Sequence, residues 1–256
     1  MVSTKKTLTV LQRGVDIVRR AIEADSRVGV AYDRVHRLAD LSQRITWAYV
    51  VGKGVYAADG TAASTVVQVA ILGGPPPPSL NQDATFQAHQ GDDGFLRIFV
   101  QPRRYTATWS GIVLFHELDH VLDSLDGATP LSSAGEDWWN AEARAYHRVA
   151  LIIDAVSGGR FVPAVAGLAA TRSVSDLVDS DPEQLGEDLY RQAFGGRVPE
   201  PPKSAPEGWA RSASLVFGAV VATHAYPVSL ADLTESSAGP ALRQAAEAWG
   251  WSGGKS

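Results

Sequence analysis

The stretch FHELDHVLDSLDG, Phe115 to Gly127, decides how this chain folds and what it binds. Two of the six histidines in the chain lie four residues apart here, and a glutamate directly follows the first. On an α-helix, side chains four residues apart share one face and lie roughly 5–6 Å from one another. His116 and His120 are therefore close enough to hold one ion together, and the pattern predicts a zinc-binding helix.

The hydrophobic pattern around the histidines predicts a helix with one face in the core. Its apolar residues recur at helical spacing: Ile112, Leu114, Phe115, Leu118, Val121, Leu122 and Leu125. The two histidines fall on the other side, and Glu117 is turned about 100° from His116. That orientation suits a general base beside the metal better than a third ligand. Thr108 or Ser110 is predicted to cap the start of this helix, and Gly127 to end it in a left-handed conformation.

The composition excludes several classes of protein. The chain has 256 residues, is 45% hydrophobic and carries a formal net charge of −5 without a basic block, so a nucleic-acid partner is not expected. Cysteine is absent, which excludes thiolate metal sites and leaves His, Asp and Glu as the strong ligands. The longest apolar run, 213–226, is too short to insert into a membrane. The N-terminus lacks a secretory signal pattern, which predicts a cytoplasmic protein or delivery by a signal-peptide-independent secretion system.

The chain is predicted to divide into an N-terminal helical segment (1–43), a central core (44–160) and a mainly helical region packed on that core (161–256). Helices are expected at 11–22 and from Val28 to Leu41. Four strands follow: ITWAYVV (45–51), GVYAA (54–58), STVVQVAIL (64–72) and FLRIFV (95–100). The proline-rich stretch 73–94 is predicted to contain no regular element. After the histidine helix comes another, bounded by Ser133 and the Gly158-Gly159 pair.

A catalytic zinc site needs a third protein ligand, and several acidic residues follow the two histidines. Glu142 ranks first, because its helical neighbours are apolar and a buried carboxylate needs a cation or a proton. A salt bridge from Glu142 to Arg144 or Arg148 is the alternative. Other candidates remain: Asp123, Asp126, Glu136 and His147. Asp126 occupies the last ligand position of the metzincin pattern, but the glycine and the methionine turn of that family are missing. Glu136 has the spacing of a capping box with Ser133.

The combination of His116, Glu117, His120 and Glu142 resembles the gluzincin branch of zinc metallopeptidases. The sequence HELDHVLD…EARAY is also similar to compact metallopeptidase domains of bacterial effectors and toxins. The resemblance covers about residues 95–153 and departs from the thermolysin-like pattern at Tyr146, where that pattern has aspartate. It implies a zincin-like α+β fold, in which a small mixed sheet packs on the active-site helix and further helices lie at both ends.

The resemblance also implies a mechanism of peptide hydrolysis. Zn²⁺ held by His116, His120 and Glu142 would activate water, and Glu117 would act as general base on a protein or peptide substrate. Oxyanion-stabilising candidates are Tyr105, Tyr146, His147 and His224, of which Tyr146 and His147 are preferred.

Two details of the site are also expected. Asp119 or Asp123 could orient an imidazole through its second nitrogen. The strand FLRIFV is expected to edge the substrate cleft.

The alternative to an enzyme is an inactive zincin-like domain or a domain that only binds other proteins. The sequence does not indicate an oligomeric state.

Overall fold

The structure is a computed structural model that describes residues 3–52, 54–58, 67–76, 80, 86–91, 93–102, 106–132 and 135–161, together with positions 181, 184, 243 and 247. The predicted C-terminal helical region and its apolar run therefore lie almost wholly outside the described residues. The predicted boundaries at 43/44 and 160/161 remain predictions.

Two helices precede five strands, and two further helices follow them. The elements are α1 (Thr4–Glu23), α2 (Val30–Ser42), β1 (Ile45–Val51), β2 (Gly54–Ala57), β3 (Val67–Leu72), β4 (Phe86–Gln90), β5 (Leu96–Val100), α3 (Ala107–Leu125) and α4 (Gly135–Val156). The predicted α+β class is confirmed. No helix in the described part of the chain combines the length and the apolar character needed to span a membrane.

The five strands form one mixed sheet in the order β2-β1-β3-β5-β4. The three central strands β1, β3 and β5 run parallel, whereas β2 and β4 pair antiparallel at the two edges. Alternate residues of β1, β3, β4 and β5 face the main core, which also receives side chains from all four helices. The opposite face carries a second, smaller apolar cluster: Ala48, Val50, Ala70, Leu72 and Phe99.

Strand β4 contradicts the prediction that 73–94 contains no regular element. Its sequence, FQAHQ, is short and half polar, so hydrophobic pattern alone gives little sign of a strand. The strand is stabilised by antiparallel pairing with β5, where Ala88 lies opposite Ile98. This pairing also makes β5 an interior strand, between β3 and β4. The prediction that FLRIFV edges the cleft is therefore wrong, and β4 takes that place in the described sheet.

The helices agree with the sequence in outline and differ at their ends. α2 begins at Val30 rather than Val28, because Gly29 has a φ of 133°, which is incompatible with a helix. Thr106 precedes α3 without a side-chain capping bond, so the prediction of Thr108 or Ser110 as the cap is wrong. Gly127 does follow the helix with a φ of 71°, as predicted.

The apolar stripe of α3 is buried at six of its seven predicted positions. Leu125 is the exception at 44% exposed, because it belongs to the last turn of the helix. The start predicted for α4 at Ser133 falls outside the described residues, and the helix ends before Gly158 and Gly159, both of which have positive φ.

Helices α1 and α3 approach each other at a pair of glycines. A Cβ on Gly111 would lie 2.3 Å from the carbonyl oxygen of Gly14, and one on Gly14 would lie 2.2 Å from that of Ala107. These neighbours are backbone atoms that cannot rotate away. The close approach brings α1 against the helix that carries the histidines, so the N-terminal helices share its core.

We expect Gly111→Ala to destabilise the protein by about 1–3 kcal/mol or more, because the added methyl group forces two helix backbones apart. Alanine is intrinsically the better helix former by about 1 kcal/mol, so a loss of stability would report the contact and not propensity. Urea unfolding measures the change. Gly74→Ala is the control, since no atom lies within 4 Å of its added Cβ; equal stability of both variants would contradict the close approach.

Candidate metal centre

Helix α3 brings the two histidines of the motif together. His116 and His120 lie one turn apart, with their Nε2 atoms at 3.2 Å and their ring centroids at 4.7 Å. Both side chains are largely shielded from solvent, at 10% and 13% exposed. The predicted pairing of the two imidazoles on one helix face is confirmed.

Helix α4 supplies the carboxylate that completes the cluster. The Oε1 atom of Glu142 lies 3.2 Å from Nε2 of His120, and its Oε2 atom lies 3.3 Å from Nε2 of His116. Glu142 is only 6% exposed, as expected for a residue inside the apolar face of the helix. Its alternative partners are engaged elsewhere: Arg144 binds Asp123 and Arg148 binds Asp119.

The three ligand atoms fit a small divalent ion. In a tetrahedral site with ligand distances of about 2.0–2.1 Å, neighbouring ligand atoms lie about 3.3–3.4 Å apart. The two Nε2 atoms are 3.2 Å apart, close to that value, and each lies 3.2–3.3 Å from a different oxygen of Glu142. With one atom taken from each residue, the three ligand atoms lie within 4.8 Å of one another. Imidazole nitrogens also disfavour Ca²⁺ and Mg²⁺, which prefer oxygen ligands. The group His116, His120 and Glu142 could therefore hold a metal ion.

Without a metal, hydrogen bonds and opposite charges hold the imidazoles and the carboxylate of Glu142 together. Burial alone would lower the pKa of His120, but the charge of Glu142 and its hydrogen bond outweigh burial and raise this pKa to about 9. Burial would likewise raise the pKa of Glu142, yet the charge of His120 and the bonds from both imidazoles hold it well below its usual range. A metal ion would have to replace the proton on His120, because only the neutral ring coordinates.

Glu117 lies beside the cluster and is held by the edge strand. Its Oε2 atom accepts a hydrogen bond of 2.7 Å from the backbone N–H of Ala88 on β4. Its negative charge contributes to the raised pKa of His120. Sequence reasoning missed Ala88, because β4 itself was not predicted. The one signal was the alternation of apolar and polar residues in FQAHQ, of which Phe86 and Ala88 are buried.

Tyr146 and His147, the preferred oxyanion candidates, lie next to each other on α4. The ring of Tyr146 packs on His116 with 4.6 Å between centroids. Burial and the charges of Glu142 and Glu117 raise the pKa of its hydroxyl, which therefore stays protonated and able to donate. His147 is buried but does not belong to the three-residue ligand group. Tyr105 and His224 lie outside the described residues.

Asp123 and Asp126, two of the remaining ligand candidates, do not join the cluster. Asp123 accepts hydrogen bonds from Arg34 at 2.5 Å and from Arg144 at 3.0 Å. Asp126 pairs with Arg34 and, at 2.7 Å, with Arg37. The side chain of Glu136 is outside the described part of the structure. Among the described residues, the group of His116, His120 and Glu142 is the one set of His, Asp and Glu side chains that could hold an ion.

Asp119 and Asp123 of α3, together with Asp126 directly after the helix, instead form an acidic ladder beside the histidines. Asp119 is 1% exposed, and its two oxygens bind Arg34 at 3.1 Å and Arg148 at 2.7 Å. Burial would raise the pKa of Asp119, but the charges of Arg148 and Arg34 keep it lowered. The prediction that Asp119 or Asp123 orients an imidazole is wrong for His116, whose Nδ1 has no partner among the described residues. For His120 it stays a prediction.

We expect the metal-free protein to lose stability as pH rises from about 6 to about 10. The pKa of His120 is raised to about 9 from an ordinary value of 6.5. The stabilisation that its proton gives to the folded state is therefore complete below about pH 6.5 and is lost above about pH 9. Urea unfolding across this range measures the loss. In Glu142→Gln the anion is removed, so this part of the pH dependence should vanish; an identical pH dependence in both proteins would contradict the coupling.

Comparison of the chain with protein-family models, with curated proteins and with solved structures finds no match. A function for the protein is therefore inferred from the geometry of the cluster, from the position of Glu117 beside it and from the edge strand that contacts Glu117.

Proposed function

We propose that this protein is a zinc-dependent metallopeptidase of the zincin-like type. The observation that carries the proposal is the convergence of His116, His120 and Glu142 at 3.2–3.3 Å from two successive helices. Two imidazoles and one carboxylate leave a fourth tetrahedral position free, which distinguishes catalytic from structural zinc sites. When bound, zinc would lower the pKa of its water to about 7, and the same ion would polarise a carbonyl oxygen.

Glu117 is the general base of the proposed reaction. It has one oxygen fixed by the N–H of Ala88, which leaves the other free to accept a proton and later pass it to the leaving amine. Proton transfer of this kind needs a carboxylate within hydrogen-bond reach of the water and held in one orientation. The backbone contact supplies that orientation. The Tyr146 hydroxyl, which keeps its proton, is the proposed donor to the oxyanion.

The substrate of the proposed reaction is an extended peptide that adds to β4. This strand lies at the edge of the described sheet and contacts Glu117, so a peptide along it would pass the cluster. In an antiparallel edge strand, alternate residues direct their N–H and C=O groups outward. Since the N–H of Ala88 points outward to Glu117, the backbone of Gln90, two residues further along the strand, has the same orientation. Gln90 would pair with the backbone of the peptide.

A resemblance to gluzincins and to bacterial effector domains supports the same conclusion from the sequence. The mixed sheet beside the motif-bearing helix is compatible with that fold. Cytoplasmic action, or delivery as an effector by a route without a signal peptide, stays a prediction that depends on the sequence alone.

We expect the purified protein to bind one zinc ion per chain, and His120→Ala or Glu142→Ala to lose it. Each substitution removes one of three ligands, so the loss of affinity should exceed the about 10–100-fold that loss of an outer supporting residue costs. Elemental analysis and chelator competition measure both quantities. His36→Ala is the control, because this histidine of α2 is outside the ligand group. Full zinc content in Glu142→Ala would remove Glu142 as a ligand.

We expect Glu117→Gln to retain zinc and to lose peptide hydrolysis by about 10²–10⁴-fold, because the amide cannot accept the proton. Because the substrate is unidentified, the assay uses a mixed library of fluorogenic peptides. Undiminished turnover in this variant would exclude Glu117 as the base. A zinc-loaded wild-type protein that cleaves no peptide of the library would count against the peptidase and favour a domain that only binds other proteins.

A further inference from the structure

The acidic ladder of α3 is clamped between two other helices. Asp119 and Asp123 each direct one oxygen to Arg34 of α2, at 3.1 and 2.5 Å. Their other oxygens accept hydrogen bonds from α4, from Arg148 at 2.7 Å and from Arg144 at 3.0 Å. All four carboxylate oxygens are thus engaged, two by each neighbouring helix.

The pairs between α3 and α4 are matched in spacing. Asp119 and Asp123 are four residues apart, as are Arg144 and Arg148, and the pairs run in opposite sequence order. A shift of α4 by one turn would re-form only one aspartate–arginine contact, with exchanged partners, and would leave one aspartate and one arginine without a partner. Leaving either charge buried without its partner costs about 3–5 kcal/mol, so the network strongly favours one register of the two helices.

The same register controls the position of Glu142. This ligand lies two residues before Arg144 on α4, whereas the two imidazoles are on α3. A slip of one residue displaces a helix by about 1.5 Å. Metal–ligand distances tolerate only about 0.2 Å, so even a fraction of such a slip would remove the carboxylate from the ion.

We propose that Arg144 and Arg148, with Arg34 bracing the other side of the ladder, are positioning residues that hold Glu142 opposite His116 and His120. None of the three arginines touches the ligand cluster in the described contacts. Their effect passes through Asp119 and Asp123, which lie on the helix of the two histidines. The inference rests on the metal site proposed above and adds the residues that set its geometry.

A purely electrostatic role of the arginines would change the zinc affinity in the opposite direction. Removing a guanidinium near the cluster reduces the repulsion of a divalent cation and leaves an uncompensated aspartate, so zinc should then bind more tightly. The positioning role requires weaker binding after the same substitution. The direction of the change in zinc affinity therefore decides between the two roles.

The test compares Arg144→Met and Arg148→Met with Arg37→Met, using full-length protein. Methionine keeps an unbranched apolar chain and removes the charge. Arg37 also pairs with an aspartate of the acidic ladder, Asp126, which directly follows α3, but it belongs to α2 and is 52% exposed, so it is the matched control. Zinc affinity is measured by chelator competition, metal-free stability by urea unfolding, and ligand geometry by visible absorption of the Co²⁺-loaded proteins.

We expect the two α4 variants to bind zinc about 10–100-fold more weakly than wild type and to show an altered Co²⁺ spectrum at saturation. Arg37→Met should match wild type in both measurements, even if its stability falls. A general loss of stability would not change the spectrum of the saturated protein. Arg148→Lys, which keeps one donor for Asp119, should lie between wild type and Arg148→Met.

Zinc binding that is unchanged or tighter in both α4 variants, with an unaltered Co²⁺ spectrum, would overturn the inference and leave the metal site intact. If Arg148→Met does not fold, Arg144→Met decides alone, since Arg144 is 19% exposed and easier to replace. A wild-type protein that binds no zinc would overturn the metal site itself.

Discussion

The structure depends on one buried carboxylate, that of Glu142, between two imidazoles. An ionised carboxylate in a low-dielectric interior is stable only beside a positive charge. His120 supplies that charge as a proton, which explains its pKa of about 9. A metal ion can supply the same charge from the space between the three ligand atoms. Proton and metal thus compete for one position, and the protein folds around a negative charge that either can neutralise.

The same helix must satisfy several constraints at once, which explains why α3 is enclosed. The helix carries His116 and His120, the ladder aspartates Asp119 and Asp123 beside them, and the apolar stripe that fills the core. Gly111 lets α1 approach a further side. A helix surrounded in this way cannot rotate or slide without breaking ion pairs, packing and the ligand geometry together. Precise placement of the two imidazoles follows from these combined contacts and not from the motif alone.

Much of the site could be predicted from the spacing of residues within single helices. The four-residue interval of the histidines and the apolar neighbours of Glu142 are properties of single helices, so periodicity reveals them. Strand β4 was missed because its polar residues gain their structure from pairing with β5. The partner of the acidic ladder, Arg34, is 85 residues from Asp119 along the chain, and no local pattern connects them. Contacts made across such distances appear only when the helices are packed.

The hydrogen bond from Ala88 to Glu117 connects the edge of the sheet to the proposed chemistry. A carboxylate fixed on a strand backbone keeps a constant distance from every peptide group that pairs with that strand. If β4 receives the substrate, the register of pairing at Gln90 determines which peptide bond faces Glu117. Selection of the cleaved bond would then depend first on the backbone ladder and only afterwards on side-chain pockets. In the proposed reaction the strand would serve both as the template for the peptide and as the support for the base.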